Sequence, residues 1–155
     1  MIITRETDYA IRILRALADW EQKNIREISD EQMIPRQFAY KISKKLEQAG
    51  YIEIVRGAQG GCRLAKDLHE LNLMDVITVM DRDNMIISCL DGSFECLYRR
   101  RHGSCPTHDA YAAIQDKLTD DLSAIPLQDI IFAPKDDSIS VESGRITIAV
   151  RRLTY

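Results

Sequence analysis

The stretch from Met33 to Ala65 restricts the possible folds more than any other part of the chain. Met33-Ile34-Pro35 interrupts helical patterning, and Pro35 suits the first turn of a new helix, where a missing N–H costs nothing. Phe38, Ile42, Leu46 and Ala49 then recur at helical spacing, and Gly50 stands where a left-handed terminating residue is wanted. Tyr51-Ile52-Glu53-Ile54-Val55 reads as a strand. Gly57-Ala58-Gln59-Gly60-Gly61 makes a tight turn, and Cys62-Arg63-Leu64-Ala65 returns as a second strand. A helix followed at once by a tight hairpin leaves few topologies open.

Two helices precede this unit. Tyr9, Ala10, Ile13, Leu14, Leu17 and Ala18 give an apolar face to a helix from about Thr7 to Trp20, and a short helix covers about Ile25–Gln32. Three short helices and a two-stranded hairpin make a winged helix-turn-helix. Downstream, Asn72 and Asp75 have capping-box spacing, and Leu73, Val76, Ile77 and Met80 face inward from the helix they start. Periodicity then fails from Asp81 to Ser104, which reads as a loop long enough to need a function or ligand to order it. A long helix runs from Pro106 to about Ser123, with Tyr111, Ile114, Leu118 and Leu122 in one stripe, as expected for helix-to-helix contact within or between subunits. Pro126 breaks it. Ile139, Val141, Ile146, Ile148 and Val150 alternate around Ser143-Gly144 and predict a terminal β-hairpin. The predicted class is mainly α with a small β wing. The predicted division is a winged helix-turn-helix over 1–81, a loop over 82–105, a helical region over 106–132, and a C-terminal extension with a β-hairpin over 133–155.

The net charge of −3 conceals an asymmetry: residues 1–66 hold 12 Lys and Arg against 9 Asp and Glu, whereas residues 67–155 hold 9 against 15. A basic face on an acidic chain suits a polyanion. Arg36, Gln37 and Tyr40 lie near the start of the third helix, where base edges in a major groove are read. Lys41, Lys44 and Lys45 are expected on phosphates, and Arg56 and Gln59 flank the wing glycines, where a narrow turn enters a minor groove. The bland alternative is an amphipathic helix beside a surface hairpin. The first residues do not resemble a secretory signal, and no run approaches the roughly 18 apolar residues of a membrane span, so a cytoplasmic protein without membrane association is expected.

Cys89, Cys96 and Cys105 are spaced C-x6-C-x8-C, with His108 three residues past the last. Thiols gathered so closely in a reducing compartment more often hold metal than form structural disulfides. Cys105-x2-His108 has the tightness of a zinc knuckle, whereas iron–sulfur clusters accept wider spacings, so the spacing leaves both open. An enzyme with a cysteine nucleophile would need a histidine base. None of His69, His102 and His108 has a catalytic context, so a non-enzyme is expected.

Thr7-Asp8-Tyr9-Ala10-Ile11-Arg12, Ile34-Pro35, Leu46-x2-Ala49-Gly50-Tyr51-Ile52 and Arg56-Gly57-x2-Gly60-Gly61-Cys62-Arg63-Leu64-Ala65 together resemble the IscR/NsrR/RirA-type family of bacterial winged-helix transcription regulators. The likeness covers roughly residues 1–132, and it implies that 1–81 binds DNA, 82–105 is a cluster-binding loop and 106–132 a dimerisation helix region. It implies a homodimer on a palindromic double-stranded operator, long C-terminal helices crossing between subunits, and in many members an iron–sulfur cluster that controls operator binding in response to redox state, nitric oxide, iron or cluster supply. IscR-like members have a histidine where His108 stands, which is the preferred fourth ligand and suits [2Fe–2S]. NsrR-like members supply a carboxylate from the partner's first helix, where Asp8 stands, and that set suits [4Fe–4S]. Cys62 replaces an aromatic residue usual in the family, and the eight-residue second gap exceeds the family's five to seven. A zinc-stabilised or cluster-free DNA-binding regulator without sensing is the alternative.

Overall fold

A computed structural model describes residues 3–57, 60–81 and 84–132, together with the backbone of residues 139–142 and 145–148. Three helices come first: α1 (Arg5–Ala16), α2 (Ile25–Glu31) and α3 (Arg36–Gln48). Thr4 caps α1 by accepting from the Thr7 N–H, so the helix starts two residues before the predicted Thr7. It also stops four residues before Trp20. The Leu17 N–H still bonds Ile13 O, but the chain then turns through Trp20 at φ 64°. Asn24 and Glu27 form a capping box on α2, satisfying backbone donors reciprocally.

The turn between α2 and α3 is locked from inside. The buried Ser29 hydroxyl donates to Ile34 O at 2.6 Å, and the Ile34 N–H donates to Ser29 O at 2.9 Å. Met33 completes that turn at φ 55° with its side chain in solvent. The inward face of α3 is Ala39, Ile42 and Leu46, with Phe38 and Ala49 only partly covered. These residues share a core with Ala10, Ile13 and Leu14 of α1 and with Leu17 just past its end, and full burial of each large aliphatic side chain contributes about 1.5–3 kcal/mol.

Gly50 ends α3 at φ 75°, a conformation that side chains disfavour. The wing follows as β1 (Ile52–Val55) and β2 (Gly61–Leu64), antiparallel with Ile52 opposite Leu64 and Val55 opposite Gly61. β2 is also stitched to the α1–α2 connection: the Lys23 N–H donates to Cys62 O at 2.9 Å and the Cys62 N–H to Lys23 O at 2.8 Å. That approach explains Gly61, where an added Cβ would lie 2.5 Å from Lys23 O.

The Asn72–Asp75 capping box forms as the sequence predicts and opens α4 (Leu73–Met80). The segment read as an irregular loop contains a 3-10 turn at Ser88–Leu90 and a helix α5 (Leu97–His102). Then α6 (Pro106–Ser123) runs over the predicted span, and α7 (Leu127–Ile131) follows Pro126. The predicted stripe on α6 divides. Leu122 is buried and Leu118 packs with it against Leu73 and Ile77 of α4, while Ile114 stays 53% exposed. Leu127 and Ile131 of α7 enter the core shared by α1–α3, so the head draws on chain well beyond α4. The terminal hairpin is β3 (Ile139–Glu142) paired antiparallel with β4 (Arg145–Ile148).

Candidate nucleic-acid interface and cysteine site

The N-terminal half of α3 presents Arg36, Gln37, Tyr40 and Lys41 to solvent because Ala39 and Ile42 hold the opposite face in the core. Among the described residues, the Arg36 side chain makes only a long, exposed ion pair with Asp30 at 3.4 Å. Tyr40, 55% exposed, stands over a cleft of about 230 Å³ shared with Asn24, Ile25 and the wing residues Val55, Gly57 and Gly60. Arg56 is exposed at the end of β1, and Gln59 lies outside the described residues. Among the described residues, Gln37 and Lys44 have no hydrogen-bond or ion partner and point into solvent.

Lys41 and Lys45 differ from Lys44. Both Nζ atoms are held by one carboxylate, Glu6 in the first turn of α1, with Lys45 at 2.8 Å from Oε2 and Lys41 on Oε1. Lys45 donates also to Met80 O at 2.7 Å, so it ties α1, α3 and the end of α4 together. The hydrogen bonds from Lys41 and Lys45 hold the Glu6 carboxyl below its ordinary value despite some desolvation. No local pattern signals this arrangement, because Glu6 stands 35 and 39 residues from its partners.

Cys62 is fully buried in β2. Burial pushes its thiol up, partly offset by the Ser43 hydroxyl of α3. That hydroxyl lies near the thiol yet makes no hydrogen bond among the described residues.

The other three cysteines are free and half-buried. Cys89 lies in the 3-10 turn, Cys96 is the N-cap of α5 and Cys105 the N-cap of α6. Neither N-cap sulfur makes a capping bond, so both sit beside free first-turn amides, which favour negative charge. His108 occupies the N3 position of α6. N-cap and N3 residues lie one turn apart, close enough that in the two capping boxes of this chain each side chain reaches the other's backbone N–H. Arg99 Nη1 lies 3.1 Å from His108 Nε2. A guanidinium only donates, so Nε2 accepts and the ring proton lies on Nδ1, which is buried without a partner among the described residues. Asp8 is engaged elsewhere, paired with Arg12 at 2.8 Å on its own helix.

The loop is anchored by Gln115, buried on α6, whose Oε1 accepts the Ile86 N–H at 2.9 Å. A lone glutamine in an apolar stripe is a signal the sequence offered and the periodicity reading passed over. Among the described residues, no three or more His, Cys, Asp or Glu side chains gather closely enough to hold one metal ion. In kind, the donors fit an iron–sulfur cluster: three free thiols, two of them at helix N-caps, and the imidazole of His108.

Comparison with known proteins agrees with the fold. Residues 3–133 match the Rrf2 family, described as an iron-dependent transcriptional regulator. The HTH-type transcriptional regulator NsrR of Bacillus subtilis is 34% identical over 127 residues, covering 77% of this chain and 87% of that protein. The HTH-type transcriptional regulator IscR of Vibrio campbellii is 28% identical over 148 residues, covering 94% and 84%. Among solved structures, T. potens IscR aligns with a TM-score of 0.62 at 20% identity, covering 83% of this chain and 85% of that one. The oxidized form of Staphylococcus aureus CymR aligns with a TM-score of 0.65, also at 20% identity, covering 88% and 100%. These structures establish the winged-helix fold. Among the described residues no helix is long and apolar enough to cross a membrane. The chain is a DNA-binding transcriptional regulator rather than an enzyme, and it belongs to the Rrf2 family.

Proposed function

We propose that this regulator binds a palindromic operator as a homodimer and that an iron–sulfur cluster held by Cys89, Cys96 and Cys105 controls the binding. The observation that carries this reading is the position of the three free thiols, all in the one segment that joins α4 to α6. His108 is the fourth ligand in this reading: its Nδ1 is buried and unpartnered among the described residues, and it ligates once its proton moves to Nε2 and Arg99 gives up that nitrogen, while Asp8 is committed to Arg12. Asp8 of the partner subunit is the alternative, and with it [4Fe–4S] instead of [2Fe–2S]. A bound cluster supplies sensitivity to redox state, iron supply and nitric oxide.

The chain's own residues connect that segment to the reading head. Leu118 and Leu122 of α6 pack on Leu73 and Ile77, and the other side of α4 places Val76 and Met80 in the core beneath α3. A shift of α6 therefore reaches α3 through packed side chains. Arg36, Gln37 and Tyr40 read bases, Lys44 contacts phosphate, and Arg56 and Gln59 serve the wing; Lys41 and Lys45 are further phosphate contacts. Exposed Ile114, with half-buried Tyr111 on the same helix, suits the second subunit.

The test is the absorption and EPR spectrum of anaerobically purified protein with iron and acid-labile sulfide counts. A coloured protein with matching iron and sulfide supports the reading. A colourless protein containing zinc overturns it in favour of a zinc-stabilised regulator.

A further inference from the structure

The lysines of α3 are not equivalent. Lys44 stands free, yet its neighbours Lys41 and Lys45 are both bound by Glu6. The two oxygens are divided between them, Oε1 to Lys41 and Oε2 to Lys45. A carboxylate that accepts one lysine on each oxygen presents what a DNA phosphate presents: two anionic oxygens at hydrogen-bond distance from two ammonium groups one helical turn apart.

We propose that Glu6 is an internal stand-in for phosphate on the reading helix, so that DNA gains Lys41 and Lys45 only by displacing it. This rests on the assignment of α3 as the DNA-reading helix. The arrangement is more than an incidental surface pair. Glu6 is 22% exposed and Lys45 30%, and the second bond from Lys45, to Met80 O at the end of α4, fixes the ammonium that Glu6 receives. Met80 is the last residue of α4, and the segment carrying Cys89, Cys96 and Cys105 begins just beyond it. Availability of the two lysines is thereby tied to where α1 and the end of α4 sit. Glu6 sets the affinity of the interface without touching DNA.

The prediction is directional. Removing any acid next to a DNA-binding face relieves some repulsion of phosphate, so the comparison of Lys41→Ala in the two backgrounds isolates the pairing itself. Here Glu6→Gln releases two ion pairs, and pairs of this exposure set the expected gain at roughly 2- to 30-fold tighter binding. If Glu6 keeps the lysines off phosphate in the wild-type complex, the variant also adds up to about two phosphate contacts. Each contact costs about 3.5-fold in affinity over a fourfold rise in salt, so the variant would lose up to about 12-fold more than the wild type.

The experiment uses the full chain and a labelled mixed-sequence DNA duplex, which reports the sequence-independent phosphate contribution, titrated at several salt concentrations. Glu6→Gln should tighten binding, and Lys41→Ala should cost more in the Glu6→Gln background than in the wild type. Unchanged or weaker binding by a folded Glu6→Gln protein overturns the proposal. Lys44→Ala separates this failure from that of the underlying reading. It should weaken binding and flatten the salt slope. If it does neither, α3 is not the reading helix and both fall. If it does both while Glu6→Gln gains nothing, only the role of Glu6 falls. Should Glu6→Gln lower the melting temperature markedly, Glu6→Asp, which withdraws the carboxylate by one methylene, should give an intermediate gain.

Discussion

Gly61→Ala is a small change with a large expected effect. A Cβ at this position would sit 2.5 Å from Lys23 O and 2.8 Å from the Lys23 carbonyl carbon. Both are backbone atoms, so no side chain can rotate out of the way. Relief requires β2 and the α1–α2 connection to separate by roughly 1 Å to reach ordinary contact distance. That separation breaks the two bonds between Lys23 and Cys62, at 2.9 and 2.8 Å. Each is worth about 1 kcal/mol net, and more where its groups stay buried and unpaired, so the loss should be about 2–4 kcal/mol. Against a domain stability of about 5–15 kcal/mol this is a substantial fraction. The wing would also sit differently against α3, so DNA binding should weaken. Urea denaturation of wild type and variant measures the loss. Gly92→Ala is the control, because a Cβ there meets nothing within 4 Å. A Gly61→Ala midpoint indistinguishable from that of Gly92→Ala would refute the reasoning.

Other consequences follow from single residues. The Glu6 carboxyl lies below its ordinary value of 4.5, so its contribution to stability is full above that value and is lost as pH falls through the folded value. Glu6→Gln should therefore flatten the acid limb of stability as pH falls below 4.5, by no more than about 2 kcal/mol for two partly exposed pairs; an unchanged limb refutes the pairing. Cys62 is fully buried and its thiol is raised, so native protein stripped of metal by a chelator should be alkylated at Cys89, Cys96 and Cys105 well before Cys62. Mass spectrometry after a timed iodoacetamide pulse reads the order, and early labelling of Cys62 contradicts it. His108→Ala should change the cluster spectrum or lower iron content, whereas Asp8→Ala should not; the reverse result assigns the fourth ligand to the carboxylate.

Much of the head is legible from local chemistry. Pro35 and Gly50 bracket α3, and the paired glycines mark the wing, because both signals depend on backbone sterics that act within a few residues. Asn72 and Asp75 announce a capping box for the same reason. What the sequence could not reveal is set by contacts between distant residues. Gly61 is small because Lys23 approaches it, not because of the turn alone. Lys41 and Lys45 look like ordinary phosphate contacts until Glu6 is placed beside them. The stripe on α6 is a true periodicity, but only the fold shows that Leu118 and Leu122 face α4 while Ile114 faces outward. The short helix α5 escaped notice because its six residues, Leu97–His102, include three arginines and a histidine and carry no apolar period.

The most direct measurement is the affinity of cluster-loaded protein and of the Cys89→Ala/Cys96→Ala/Cys105→Ala protein for an operator selected from genomic fragments, at one salt concentration. The account predicts that they differ by at least about tenfold, the scale of an ordinary coupling between two sites. Equal affinity from two folded proteins would contradict control of DNA binding by the cysteine site.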